Sequence, residues 1–152
     1  MKNAVIIFLF CSIWSVNAQK SDSDNVKATI IEFFKAFHKQ DTTKLRAMVK
    51  GDIKLQSISI NKDGKTALQE SDYGQFLKNI ASIPEDRTFE EKLLDFSIQI
   101  DGAMANAWTP YEFWYDGNFS HCGVNSFQLI KEGDEWKIIY LVDTRRREGC
   151  KN

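Results

Sequence analysis

Residues 103–145 read AMANAWTPYEFWYDGNFSHCGVNSFQLIKEGDEWKIIYLVDTR. This stretch decides the fold. Asp116-Gly117 is a two-residue hairpin signal, because a type I′ turn needs positive φ at both central positions. The turn sets a register with Tyr115 opposite Asn118, Trp114 opposite Phe119, Phe113 opposite Ser120 and Glu112 opposite His121. A carboxylate facing an imidazole, with Trp114 and Phe119 beside the pair, points to a lined cavity rather than to a plain structural strand. Gly133-Asp134 marks the turn that follows and Asp101-Gly102 the turn before. Strands are therefore expected at 89–100, 103–115, 118–130 and 135–144.

Which face carries the polar pair depends on Pro110. Leu94, Phe96, Ile98, Ala103, Ala105 and Ala107 share one apolar face. Strict alternation continues that face onto Tyr111 and Phe113, away from Glu112 and His121. A proline cannot donate to a sheet ladder and sits mainly at edges or bulges. A bulge near Thr109-Pro110 would switch faces and turn Glu112, Trp114, His121, Asn125, Phe127 and Leu129 inward. The proline favours the bulge.

Helices come first in the chain. Val26, Ile30, Phe33 and Phe37 form one stripe across residues 25–40, widened by Ile31 and Phe34. Asp41 or Thr42 caps a second, shorter helix with Leu45, Met48 and Val49 inward, ended by Gly51. Residues 53–60 form a β-branched strand and 61–64 a turn. A third helix follows, with Asp72 and Gln75 as a capping pair, Tyr73, Phe76, Leu77 and Ile80 at helical spacing, and Pro84 as its stop.

The first 18 residues have the order of a signal peptide: Lys2, an apolar run over residues 4–16, then Val16-Asn17-Ala18 before Gln19. The run is too short to span a bilayer permanently. Organisation is expected as signal peptide 1–18, polar leader 19–24, one domain 25–147 and a tail 148–152, in an exported, soluble protein, periplasmic or secreted. The remaining 134 residues suffice to bury about two thirds of the unfolded surface. Net charge is −1, with no basic stripe, which argues against nucleic acid as a partner, and the one basic run, Arg145-Arg146-Arg147 followed by Glu148, reads as a solvated strand end rather than a phosphate site. After cleavage no segment is apolar enough for a membrane. Cys122 and Cys150 are the cysteines left. Their spacing makes no zinc motif, and export permits a disulfide between them. The alternative is a buried Cys122 and a free tail thiol.

The order helix, helix, strand, helix, then a long antiparallel meander resembles the nuclear transport factor 2-like superfamily. Its members include ketosteroid isomerase, scytalone dehydratase and polyketide cyclases. Ile31-Glu32-Phe33-Phe34-Lys35-Ala36-Phe37 with Asp41 resembles the family's first helix and its exit. YEFWYDGNFSHCGVN at 111–125, Trp136-Lys137-Ile138 and Asp143-Thr144-Arg145 resemble an exported bacterial subgroup called lumazine-binding-like. The resemblance implies an α+β fold in which a curved antiparallel sheet wraps around the three helices as a cone with an internal pocket. It also implies a homodimer through the outer sheet face. The catalytic motifs of the named enzymes find no residue-by-residue match here, and fold alone gives no activity.

Glu112 and His121 are the candidates for chemistry. A carboxylate beside an imidazole fixes its tautomer and raises its pKa, which suits proton transfer. Asn125 lies about 13 Å further along the strand on the same face, placed to orient a ligand carbonyl. Trp114 and Phe119 are expected as cavity walls, with Phe34 and Tyr140 completing the lining. His38 ends the first helix, where a cation is favoured. No cofactor is called for, and His38, His121 and Glu112 have no spacing that requires a metal. Asp143 and Arg145, two apart on one side of the last strand, read by default as a surface salt bridge of little weight, with a pair at the pocket mouth as the alternative. The expected function is binding of a small, partly apolar molecule. Alternatives are an isomerase, dehydratase or cyclase using His121 and Glu112, and a dimeric interaction module without a ligand.

Overall fold

The computed structural model describes residues 21–150. The expected signal peptide and residues 151–152 lie outside the described residues.

Helix α1, Asp22–His38, begins three residues before the expected start. Ser21 is the reason: its hydroxyl accepts the Asp24 N–H at 3.2 Å, and Asp22 and Asp24 complement the helix N-terminus. The described part of the expected leader is thus a cap and a first turn. Helix α2, Thr42–Ala47, is capped by Asp41, which accepts the Lys44 N–H at 2.9 Å. Helix α3, Tyr73–Ala81, is capped by Asp72 through the Gln75 N–H at 2.6 Å.

Seven strands form one sheet: β1 Lys54–Ile60, β2 Thr66–Asp72, β3 Phe89–Leu93, β4 Ser97–Asp101, β5 Met104–Tyr115, β6 Asn118–Glu132 and β7 Glu135–Arg145. Their order is β2-β1-β7-β6-β5-β3, with β4 also paired to β5. Strand β2 was not expected. It is a largely exposed edge strand, so nothing in TALQESD needs the alternation that marks a buried one. The hairpin to β1 is set by Asn61, whose side-chain carbonyl accepts the Asp63 and Lys65 N–H groups at 3.0 and 2.9 Å. The sheet is mixed rather than wholly antiparallel, because β1 runs parallel to β7. The chain already runs alongside β7 before β1 begins, with Val49 bridged in parallel to Ile138.

Pro110 acts on its neighbour, not on its own pairing with β6. Thr109 faces Asn125 and Pro110 faces Val124 without a shift. The Pro110 carbonyl accepts the Leu94 N–H at 2.9 Å. In an antiparallel strand the N–H and C=O of one residue point the same way. The missing proline N–H therefore faces the segment opposite, and that segment is where the single expected strand divides into β3 and β4.

The bulge lies instead between Phe113 and Trp114, with Ser120 as the extra residue. Trp114 still faces Phe119, but Phe113 faces His121 and Glu112 faces Cys122. The apolar face therefore follows strict alternation, with Ala105, Ala107, Thr109 and Tyr111 all buried. It packs on α1 through Phe127, whose ring lies 6.0 Å from both Phe33 and Phe34, edge to face. Burying each such ring contributes about 2–3 kcal/mol.

Cys122 and Cys150 form a disulfide, with Cα atoms 5.8 Å apart. It ties the tail to β6 beside the Cys122–Arg146 bridge. The bridge closes a loop across a sequence separation of 28. Cys150→Ser should therefore lower unfolding free energy by roughly 3–4 kcal/mol in the chain-entropy limit. Urea unfolding of the oxidised protein checks this, and an unchanged midpoint would mean the bridge contributes nothing.

Candidate functional site

Register alone builds a polar row across the inner face of the sheet. Ala107, Phe127, Leu141 and Leu55 face one another across β5, β6, β7 and β1. Two residues further along, the row becomes Thr109, Asn125, Asp143 and Ser57. Thr109, Asn125 and Asp143 are buried, and the Thr109 hydroxyl has no hydrogen-bond partner among the described residues. Glu91 joins the row from β3: its carboxyl oxygen accepts the Asn125 amide N–H at 2.6 Å.

Asp143 is the hub. It accepts hydrogen bonds from the Ser57 hydroxyl, from the Tyr111 hydroxyl at 3.0 Å and from Arg145 Nε at 2.9 Å. The Tyr111 hydroxyl is equally placed to donate to the Thr144 carbonyl, at 3.0 Å. Tyr111 reaches β7 by lying across Gly123, its partner on β6. A Cβ at Gly123 would stand 1.7 Å from the Thr144 carbonyl oxygen and 2.9 Å from the Tyr111 ring. Glycine is required there by close approach, since its φ is not in the left-handed region.

His121 sits half-buried at the end of this face, its ring 5.0 Å from Phe113 in a stacked arrangement and 5.9 Å from Tyr111 edge-on. Its Nδ1 lies 3.1 Å from the Ser120 hydroxyl. It opens onto a cleft of about 650 Å³ between the β1–β2 turn and the end of β7, lined also by Lys62, Arg145, Arg146 and Arg147. A second cleft, of about 370 Å³, lies between α1 and β3 and is lined by Phe34, His38 and Glu91 among others.

The expected site residues divide. His121 and Asn125 are on the inner face. Glu112 and Trp114 are on the other, joined by Trp114 Nε1 donating to the Glu112 carboxylate at 3.1 Å. Phe119 packs on Trp114 there, rings 5.7 Å apart. Tyr140 is also outside, its hydroxyl bonded to Gln56. A register shift between Gln128 and Leu129 makes Ile139 the extra residue of β7 and turns Tyr140 outward. Phe34 belongs to the core and edges the smaller cleft. The Glu112–His121 pair is therefore not formed, because one extra residue at Ser120 moves the two to opposite faces. The residues of the row and its hub that the sequence reading missed are Glu91, Thr109, Tyr111 and Ser57. Asp143 and Arg145 do form the expected pair.

The protonation pattern differs from the expected one too. His121 is held below its ordinary pKa, first by burial and then by the Arg145 charge, which outweigh the pull of Asp143. His38 is no helix-end cation: its Nε2 accepts the Glu91 backbone N–H at 2.8 Å, which needs the neutral ring, and burial lowers its pKa. Burial pushes the Glu91 carboxyl up to about 8, with the Asp143 charge adding to the push and the Asn125 amide opposing it. Among the described residues no cluster suited to a metal ion occurs.

Comparison with known proteins agrees on the architecture. A cystatin-like protein of unknown function from Nostoc punctiforme superposes with a TM-score of 0.64 at 13% identity, covering 84% of this chain and 92% of that one. A proposed dehydratase of the NTF2-like family from Streptomyces avermitilis gives 0.60 at 14% identity, covering 82% and 96%. The chain has the nuclear transport factor 2-like fold. A proposed scytalone dehydratase from Novosphingobium aromaticivorans matches this fold with 0.64 at 11% identity, covering 86% and 95%. No family model and no curated protein matches the sequence. At these identities the likeness carries the fold and no residue role.

Two outcomes test the site. Gly123→Ala should cost more than about 3 kcal/mol, because the clash is with backbone rather than with a flexible side chain. A near-native melting temperature would refute the close approach. Glu91, protonated in the folded state between about 4.5 and about 8, binds a proton that the unfolded chain has released. Stability should therefore fall as pH rises through that window, and Glu91→Gln should flatten the fall. Denaturation series at pH 5 to 9, as an approximate span, check the sign; identical pH profiles for the two proteins would contradict it.

Proposed function

We propose that this is an exported domain that binds a small, partly apolar molecule at the mouth of its sheet. It is of the kind suggested by the resemblance of residues 111–125 to the lumazine-binding-like subgroup. The observation that carries the reading is the open cleft of about 650 Å³ at half-buried His121, on the same inner face as the polar row of buried Thr109, Asn125 and Asp143 and half-buried Glu91. A sheet face held only for stability would continue its apolar row; this one changes to groups able to donate and accept at fixed positions. His121, with Phe113 stacked against it, offers a flat aromatic wall, and Asn61, Lys62 and Arg147 offer polar contacts around it.

A second reading is an acid–base enzyme of the dehydratase or isomerase type, in keeping with the proposed dehydratases among the neighbours. Glu91 favours it. A carboxyl with a pKa near 8 carries a proton at neutral pH and can act as a general acid toward a molecule in the smaller cleft, which Glu91 lines with His38. Glu112, on the other face, has no part in this version. As a partner we propose a second copy of the chain. Trp108, Ile58 and Leu68 are exposed on the outer sheet face, at 50%, 37% and 56%.

Protein recovered after export should begin at Gln19 by intact mass. Native mass spectrometry of that material should show a bound small molecule, lost in His121→Trp, which fills the cleft. An empty protein that is also unmoved in melting temperature by a broad metabolite panel would overturn the binding reading. Sedimentation should give a dimer that Trp108→Glu dissociates; a monomeric parent would remove the partner.

A further inference from the structure

The cleft at His121 is unlike the rest of the molecule in charge. The whole chain carries −1, yet the cleft walls bring together Lys62, Arg145, Arg146 and Arg147, against one acid, Glu148. Arg145 is neutralised in part by Asp143. Lys62, Arg146 and Arg147 have no ion-pair partner among the described residues. Cations gathered without counter-charges repel one another and work against the compact state unless something else is gained.

Two features hold the cations in place. Arg146 donates to the carbonyls of Glu148 and Gly149, at 3.2 and 2.5 Å, so its guanidinium is fixed on the tail. The Cys122–Cys150 disulfide anchors that tail to β6. Lys62 comes from the opposite wall, on the β1–β2 turn that Asn61 closes. The floor is His121, stacked on Phe113, which is uncharged near neutral pH and flat.

We propose that the ligand of this cleft carries an oxyanion, a carboxylate or a phosphate, held by Lys62 and Arg147 while its flat apolar body lies on His121. The proposal rests on the ligand-binding reading above and names the chemical class that reading leaves open. Planar guanidinium forks recognise carboxylate and phosphate through charge-assisted hydrogen bonds, and the aromatic floor supplies apolar contact without competing charge. An anion placed there would oppose the Arg145 and Arg147 charges felt by His121, so its ring should take up protons more readily when the ligand is bound.

The test titrates the disulfide-bonded protein with three probes sharing one ring system: 2-naphthoate, 2-naphthyl phosphate and the neutral 2-naphthylmethanol. The readout is the His121 ring resonances. The two anions should bind at least about tenfold more tightly than the alcohol, with the advantage shrinking in about 0.5 M salt. They should also move the His121 midpoint upward. Lys62→Gln with Arg147→Gln should weaken the anions at least about tenfold and leave the alcohol unchanged. Both residues are exposed, and an unchanged melting temperature confirms the fold of the variant. Equal binding of alcohol and anions to the parent overturns the anion assignment while leaving a ligand site standing. If none of the three moves His121, the cleft is no such site and both readings fall.

Discussion

Asp143 puts a carboxylate on the inner face of a sheet, 9% exposed, where an unpaired charge would cost several kcal/mol. Four groups answer for it. Arg145 supplies the opposite charge, Ser57 and Tyr111 supply hydroxyl donors, and Gly123 supplies the room for the tyrosine to arrive. These come from β7, β1, β5 and β6. A single buried charge thus ties together the parallel pair β1–β7 and the two antiparallel pairs next in the sheet, β7–β6 and β6–β5. Removing one donor leaves the charge under-satisfied, which costs more than the bond itself contributes. The polar end of the sheet therefore behaves as one unit.

Glu91 extends that unit to the far side of the sheet and to α1. Its backbone N–H is held by His38, its carboxyl by Asn125, so a shift of the helix end would disturb both. With Asp143 already charged nearby, a second charge in the same enclosed space is unfavourable, and Glu91 stays protonated to about 8. The two carboxyl groups of the inner face are thereby driven to different states by position alone. That separation of roles is a familiar requirement for acid–base work, and it is equally a way to give a binding site one anionic acceptor and one neutral donor.

How much of this is legible in the sequence follows from which signals are local. The caps at Asp41 and Asp72 and the turn at Asp116-Gly117 are decided within a few residues, and the helices and hairpins they start are where the pattern puts them. The bulge at Ser120 is not local in that sense. Ser120 and His121 fit either register, and the choice is made by packing of Phe113, Tyr111 and Gly123 across three strands. Pro110 is a real disruption signal, but its effect falls on the neighbouring strand, which sequence order does not reveal. Glu91 hides inside Glu90-Glu91-Lys92, a run that reads as solvated. Only the fold shows that every second residue of β3 faces inward. Asp143 and Arg145 were readable because both lie on one strand at a spacing of two.

The cationic cleft and the protonated carboxyl share one sheet face, and Glu91 and His121 both feel Asp143 and Arg145, which has a thermodynamic consequence. Glu91 ionises late partly because Asp143 is negative, and His121 protonates late partly because Arg145 and Arg147 are positive. An anion entering beside His121 adds negative charge to both environments. It favours the imidazolium form and disfavours the Glu91 carboxylate, so binding is accompanied by net proton uptake wherever either group is part-titrated. Reciprocity then requires that affinity for the anion fall as pH rises through the range between the two groups. A neutral ligand has no such coupling. The direction of the pH dependence of binding is thus fixed by the ligand's charge and by the order in which this sheet places its titratable side chains.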